Sequence, residues 1–329
     1  MRHALLASVF ALMSAAMPPG YAQAPIVIKY SHVNSVNTPK GVAALKFKEL
    51  AEKYLGNRVK VEVFASGTLF GDDREMEALL LNDVQIIAPS LSKFGRYTDK
   101  LQIFDLPFLF KNVDAVARFE NSAVGQNLLK SVNNRGYTGL AYLHNGMKQL
   151  SSKSKIVKPD DAKGMRIRIQ HSKVIEEQFK AIGAVPVKLA FSEVYQALQT
   201  GVVDGQENSW TSIYTTKFFE VQPYILESNH GMMTFMVTVS TRWWDKLPTD
   251  IRQGLQRAIN ESTQETNRLS EKMHQDNKKK IIESGKSEII VLSDKDLEPW
   301  RKAMVPVYSQ FEKSIGKESM DAARKANAD

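Results

Sequence analysis

The chain has 329 residues, enough for about two domains, and its 43% hydrophobic and 24% charged residues have the balance of a globular rather than a disordered protein. The absence of cysteine excludes disulfides, thiolate nucleophiles and cysteine metal sites. A formal net charge of +8 leaves nucleic acid, anionic membrane surfaces and small anions as candidate partners, and charge alone does not choose among them.

Residues 1–24 have the layout of a signal peptide: a basic start at Arg2, an apolar stretch from Ala4 to Met17, and small residues Gly20, Ala22 and Ala24 before Pro25. The stretch is short for a membrane span, and Pro18 and Pro19 break any helix that tried to continue, which disfavours an uncleaved anchor. Downstream there is no apolar run of 18 residues to cross a bilayer as a helix, so the mature chain is expected to be soluble. Export makes nucleic acid a poor candidate, and no interleaved aromatic and basic pattern revives it.

From Ile26 short apolar strands alternate with amphipathic helices, which predicts α/β architecture with largely parallel sheets. Ile26–Tyr30 reads as a strand, followed by a polar turn and a helix from about Gly41 carrying Ala44, Leu45, Phe47 and Leu50 near helical spacing. Strand Val59–Phe64, a loop with Gly67 and Gly71, a helix over Met76–Leu81 and strand Val84–Ala88 come next. Gly136–Tyr142 reads as another strand, with Asn145-Gly146 as the turn that ends it. The same grammar repeats with strand Met165–Ile169, helix Ser172–Ile182, a short strand near Val185, and helix Ser192–Thr200 capped by Ser192 and closed by a left-handed Gly201. Two such blocks suggest two lobes with a cleft between them. The longest helical signal runs from Pro248 to about Ile282, about 50 Å if straight, and so long enough to touch both lobes. A break near Ser262–Thr266 is the alternative.

Several chemistries lack their usual residues. There is no H-E-x-x-H, and His32, His144, His171, His230 and His274 stand singly. No G-x-S-x-G elbow, phosphate-binding loop or G-x-G-x-x-G fingerprint is present, and no acid, base or nucleophile stands out. Neither a cofactor nor enzymatic activity is expected.

The informative segment is GMRIRIQHSKV, residues 164–174. On a strand Arg166, Arg168 and Gln170 share one face, opposite Met165, Ile167 and Ile169. A guanidinium binds a carboxylate through two parallel hydrogen bonds, a strong anchor where solvent is reduced. Periodicity does not say which arginine matters, or whether the face is simply exposed.

NTPKG (37–41), FDLPFLF (104–110), HNGMKQLSS (144–152), GMRIRIQ (164–170) and FSEVYQALQTGVVDGQEN (191–208) together resemble the DctP-type solute-binding proteins of TRAP transporters, the tripartite ATP-independent periplasmic systems, in the family's own order. NTPKG, HNGMKQLS and the IQ-x-S-K-V ending are most similar to the binders of four-carbon dicarboxylates such as succinate, fumarate and malate. The resemblance implies a periplasmic, monomeric protein with the two-lobed, type II-like Venus-flytrap fold and a long helix crossing both lobes. It implies delivery of the ligand to membrane subunits. Lobe I is expected over 25–145 plus about 231–272, and lobe II over 146–230 plus about 273–329. The family's clamping arginine falls on Arg168 and its carboxylate-binding asparagine on Asn208, while Lys148 takes a place where many relatives carry arginine. Lys40 is the candidate for the distal carboxylate, with Ser90, Ser92 and Ser172 as hydrogen-bond donors and Phe191 and Trp210 as apolar walls. The runner-up reading is the same fold binding another organic anion (a keto, hydroxy, aromatic or sugar acid), or serving a membrane sensor instead of a permease.

Overall fold

The computed structural model describes residues 24–328, so the signal-peptide expectation lies outside the described residues. Ten strands form the sheet: β1 (Ile26–Ser31), β2 (Val59–Phe64), β3 (Ile86–Ile87), β4 (Tyr137–Ser152), β5 (Arg166–Ile169), β6 (Val185–Lys188), β7 (Gly205–Ser209), β8 (Tyr224–Glu227), β9 (Met232–Ser240) and β10 (Glu288–Val291). Their order is β2-β1-β3-β9-β4-β7-β5-β6, with β8 on β4 and β10 on β8. The βα-derived pairs are parallel, as the alternating pattern predicts, but β9 runs antiparallel to both β3 and β4, and β4 antiparallel to β7 and β8. The sheet is therefore mixed rather than largely parallel.

β4 joins the two halves. Its first part, Tyr137–Met147, pairs with β9, and its last part, Lys148–Ser152, pairs with β7. The expected turn at Asn145-Gly146 is absent: the strand runs on for 16 residues, and the pair marks a register shift between His144 and Met147. Gly146 adopts φ of +103°, and a Cβ there would collide with the His274 ring. Asn145 is fixed by Nδ2 bonds to Ser209 Oγ (2.8 Å) and Ser212 Oγ (2.9 Å). Asn-Gly thus builds a bulge, because strands on both sides supply ladder partners that a terminal turn would lack.

The long helix spans Thr249–Ser284 without a break, about 54 Å at 1.5 Å per residue. The hydroxyls that hinted at an interruption bond back along the helix: Ser262 and Thr263 to Ile259 O (3.0 and 2.8 Å) and Thr266 to Ser262 O (2.8 Å). Leu255 and Ile259 belong to a core with Ile28, Phe47 and Val61, whereas Ile281 belongs to a separate core with Trp210 and Phe218. One helix thereby seals both lobes. Midway, Asn267 accepts from His144 N–H (2.9 Å) and donates to Tyr142 O (3.1 Å), pinning the helix to the β4 bulge. The last helix, Lys317–Ala326, places Met320 and Ala323 in a core with Phe104, Phe119 and Leu128. Among the described residues no helix is long and apolar enough to cross a membrane.

Candidate functional site

A small cavity, with about 370 Å³ of atom-free space that includes its open mouth, lies between the sheet halves. A wider groove of about 1930 Å³ runs along the long helix, but its cations Lys111 and Arg268 are exposed, so it lacks a desolvated anchor. The smaller cavity gathers Lys40, Lys93 and Arg168 with the carboxylates Asp72 and Glu75.

Arg168 stands at the C-terminal end of β5, flanked by the parallel strands β6 and β7, the end of an α/β sheet where ligands collect. It is 1% exposed. Its Nε and Nη2 donate to Leu189 O at 3.1 and 2.8 Å, which fixes the plane of the guanidinium, and Nη1 is buried with no partner. Burial lowers its pKa despite the opposing charges of Asp72, Glu207 and Glu193, yet an arginine stays charged. Arg166, two residues earlier on the same face, sits at the outer end of the strand and is spent on Asp204 (Nη2 to Oδ1, 2.8 Å) and Gly201 O. Position along the strand separates the two arginines.

Asn208, 2% exposed on β7, lines the cavity beside Arg168. Lys40 comes from NTPKG: Thr38 caps the helix Pro39–Leu55 by accepting from Gly41 N–H (3.2 Å), which sets Lys40 in the first turn facing inward, 2% exposed. Its Nζ lies 3.5 Å from the centre of the Phe235 ring, a cation-π contact. Burial pushes its pKa down to about 8, against the pull of Glu75 and Asp72. Ser90 lines the cavity, and Phe191 forms one wall with Met233 and Phe235. Asp72 ties the walls together: Oδ2 pairs with Lys93 Nζ at 2.6 Å and Oδ1 accepts from Phe191 N–H at 3.0 Å. Burial alone would raise Asp72, but Lys93, Phe191 N–H and Arg168 bring it below the usual carboxylate range.

Four expected residues are not brought to this cavity. Lys148 pairs with Glu207 Oε2 at 2.9 Å and stands 3.9 Å from Asp105 Oδ1, all three nearly inaccessible. Its counter-ion sits in the GQEN string, where the β4–β7 register sets Lys148 opposite Ser209 and diagonal to Glu207 on the same face. Ser92 and Ser172 donate to the two oxygens of Asp105 at 2.6 and 2.8 Å, and Ser172 also caps the helix Lys173–Ala181. Trp210 is fully buried among Val194, Phe218 and Ile281 as core. The capping residue expected at Ser192 also differs: a 3-10 turn at Phe191–Glu193 precedes the helix Val194–Gln199, and Glu193 accepts from Ala190 N–H (2.9 Å), while Gly201 is left-handed as predicted. Sequence reasoning missed Lys93, Asp72, Asn34, Gln170, Ser212, Met233 and Phe235, all cavity residues. Gln170, sharing the face of Arg168, was the one with a readable signal. Among the described residues there is no cluster of metal-ligating side chains.

A two-lobed α/β scaffold with a buried, half-satisfied arginine at the central cleft defines a solute-binding protein. Residues 30–314 match the family described as bacterial extracellular solute-binding protein, family 7 (DctP), and the chain belongs to that family. It is 49% identical over 322 residues to the C4-dicarboxylate-binding periplasmic protein DctP of Shewanella loihica, covering 98% of this chain and 95% of that one. A TRAP periplasmic solute-binding protein from Shewanella oneidensis, solved with bound succinate, superposes with a TM-score of 0.91 at 49% identity, covering 92% of this chain and 100% of that one. Another from Pseudomonas aeruginosa, with bound L-malate, gives a TM-score of 0.85 at 45% identity over 87% of this chain and 100% of that one.

Proposed function

We propose that this protein is the periplasmic receptor of a TRAP transporter, that it captures a four-carbon dicarboxylate such as succinate, fumarate or malate between its lobes, and that it delivers the acid to membrane subunits. The observation that carries this reading is the unpartnered Nη1 of a 1% exposed arginine lining a small cationic cavity. An unpaired buried donor of this kind is costly unless a ligand meets it. One carboxylate docks on Arg168 with Asn208 alongside. The other is received by Lys40 and Lys93, with Ser90 nearby giving its hydroxyl proton to Ser92 Oγ (3.2 Å), and Phe191 and Phe235 cover the carbon chain. Two separated cationic centres suit a dianion better than a monoanion. The lobes divide near the β4 bulge, 25–145 with about 231–272 against 146–230 with about 273–316, the last helix riding on the first lobe.

The cavity is lined from both lobes, by Lys40, Asp72 and Lys93 on one side and Arg168, Phe191 and Asn208 on the other, so the lobes part to admit the ligand. Contacts made only in the closed form, such as Asp72 to Phe191 N–H, then set the free energy of closure. The protein acts by binding and release. It works as a monomer without a cofactor. Calorimetric titration with succinate, fumarate, malate, butyrate and galactonate tests the reading. Micromolar binding of the first three, worth about 8 kcal/mol, is expected, with the last two at least about 1.4 kcal/mol, or tenfold, weaker. Preference for galactonate would overturn the assignment of ligand class.

A further inference from the structure

The cavity holds a carboxyl group that a site for dianions does not obviously need. Glu75 opens the helix Glu75–Leu81, is 1% exposed, and lines the cavity with Oε2 bonded to nothing. The Tyr30 hydroxyl on β1, whose pKa burial and the charge of Glu75 both raise, is likewise buried and unpartnered. The charged groups that face Glu75 come from every neighbouring element: Lys40 from the helix Pro39–Leu55, Lys93 from the turn Leu91–Arg96, Asp72 and Asp73 from the preceding loop, with Arg168 across the cavity on β5. His32, at the end of β1 and close to Lys40, is kept neutral by burial, with a pKa pushed down to about 3.

The charges that line the cavity decide the matter. Lys40, Lys93 and Arg168 face Asp72 and Glu75, so the site carries one excess positive charge when Glu75 is ionised and two when it is protonated. A dianion sealed in the first state leaves a net negative charge out of water, whereas in the second it is neutralised; a monoanion is matched by the first. Building on the dicarboxylate reading above, we infer that Glu75 takes a proton from solvent when the cavity closes on a dianion, and that this residue sets the charge of ligand the site prefers. The proton occupies the free Oε2. Burial raises Glu75 to about 7 against the opposing charges of Lys40 and Lys93, so the empty site is poised near neutral pH. A bound dianion raises that value further. Affinity is then greatest below about pH 7 and weakens as pH rises, by up to about tenfold per pH unit for one linked proton.

The test is calorimetry of succinate and butyrate at pH 7.5–8.5 in two buffers of different ionisation enthalpy, on wild type and Glu75→Gln. Wild type is expected to take up between half a proton and one proton per succinate and none per butyrate. Glu75→Gln is expected to bind succinate with most of that uptake gone and a Kd flat from pH 6 to 7, below the value of about 8 at which Lys40 titrates. Succinate binding without proton uptake by wild type overturns this inference alone, as does uptake that persists undiminished in Glu75→Gln, which would move the proton to Lys40. Failure of wild type to bind any four-carbon dicarboxylate overturns the ligand reading and this inference together. If Glu75→Gln does not fold, the wild-type proton count and the pH dependence of its Kd decide.

Discussion

Removing the Arg168 guanidinium isolates the interaction on which ligand capture turns. In the unliganded protein the group makes two bonds to one carbonyl, Leu189 O, and leaves Nη1 idle, so its truncation to alanine sacrifices little that the fold depends on beyond one orphaned acceptor, about 1–3 kcal/mol. In the complex the same truncation strands a ligand carboxylate in a closed cavity with only Asn208 nearby, a loss of about 2–5 kcal/mol, or about 30-fold to about 5,000-fold in Kd. Arg168→Lys keeps the charge but cannot hold Leu189 O and fork a carboxylate at once. It is expected to cost about 1.5–3 kcal/mol, the worth of one charge-assisted bond. The assay is isothermal titration with succinate on variants first shown by thermal melting to be folded. A folded Arg168→Ala protein whose Kd lies within about threefold of wild type, less than about 0.7 kcal/mol, would refute the assignment.

Lys40→Met keeps the stem over Phe235 and removes the charge, so it should weaken succinate binding by about 1.5–3 kcal/mol and butyrate binding far less; equal losses in titrations of the two acids would contradict the distal role. Lys148→Ala breaks a buried pair with Glu207 and should lower unfolding free energy by about 3–5 kcal/mol in urea, while a larger effect on succinate affinity than on stability would mean that Lys148 does reach the ligand. His32 and His274 are held neutral by burial, at about 3 and about 4, below the ordinary value of about 6.5. The unfolded chain therefore takes up those protons first, so their stability is intact above about pH 6.5 and is lost toward pH 4, at about 1.4 kcal/mol per pH unit for each residue. His144 runs the other way: burial lowers it, but the charge and hydrogen bond of Glu120 outweigh that, so its contribution is complete below about pH 6.5 and falls only as pH rises through the folded value. Urea midpoints should decline from pH 6.5 to 4.5, and a flat or rising profile would show these imidazoles to be hydrated.

Much of this architecture was legible because period and composition suffice for it: β1, β2, the helix from NTPKG, β5 and the long helix stand where the pattern puts them. What failed was long-range context. Asn145-Gly146 signals a turn only if the next residues lack strand partners, and β7, β8 and β9 supply them from 60 to 90 residues downstream. Lys148 reads as a free cation until the β4–β7 register sets Glu207 beside it. Trp210 and Phe235 are both buried aromatics, and no local feature tells the one in the core from the one walling a cavity. Lys93, on a short turn, looks like surface, and its inward aim follows from Asp72, which reaches it across the fold.

A crystal structure of the protein grown with succinate tests the central claim most directly. The account predicts one ligand carboxylate within hydrogen-bond distance of Arg168 Nη1 and Asn208, and the other facing Lys40 and Lys93. Succinate bound elsewhere, or an Arg168 turned out to solvent in the closed complex, would contradict it.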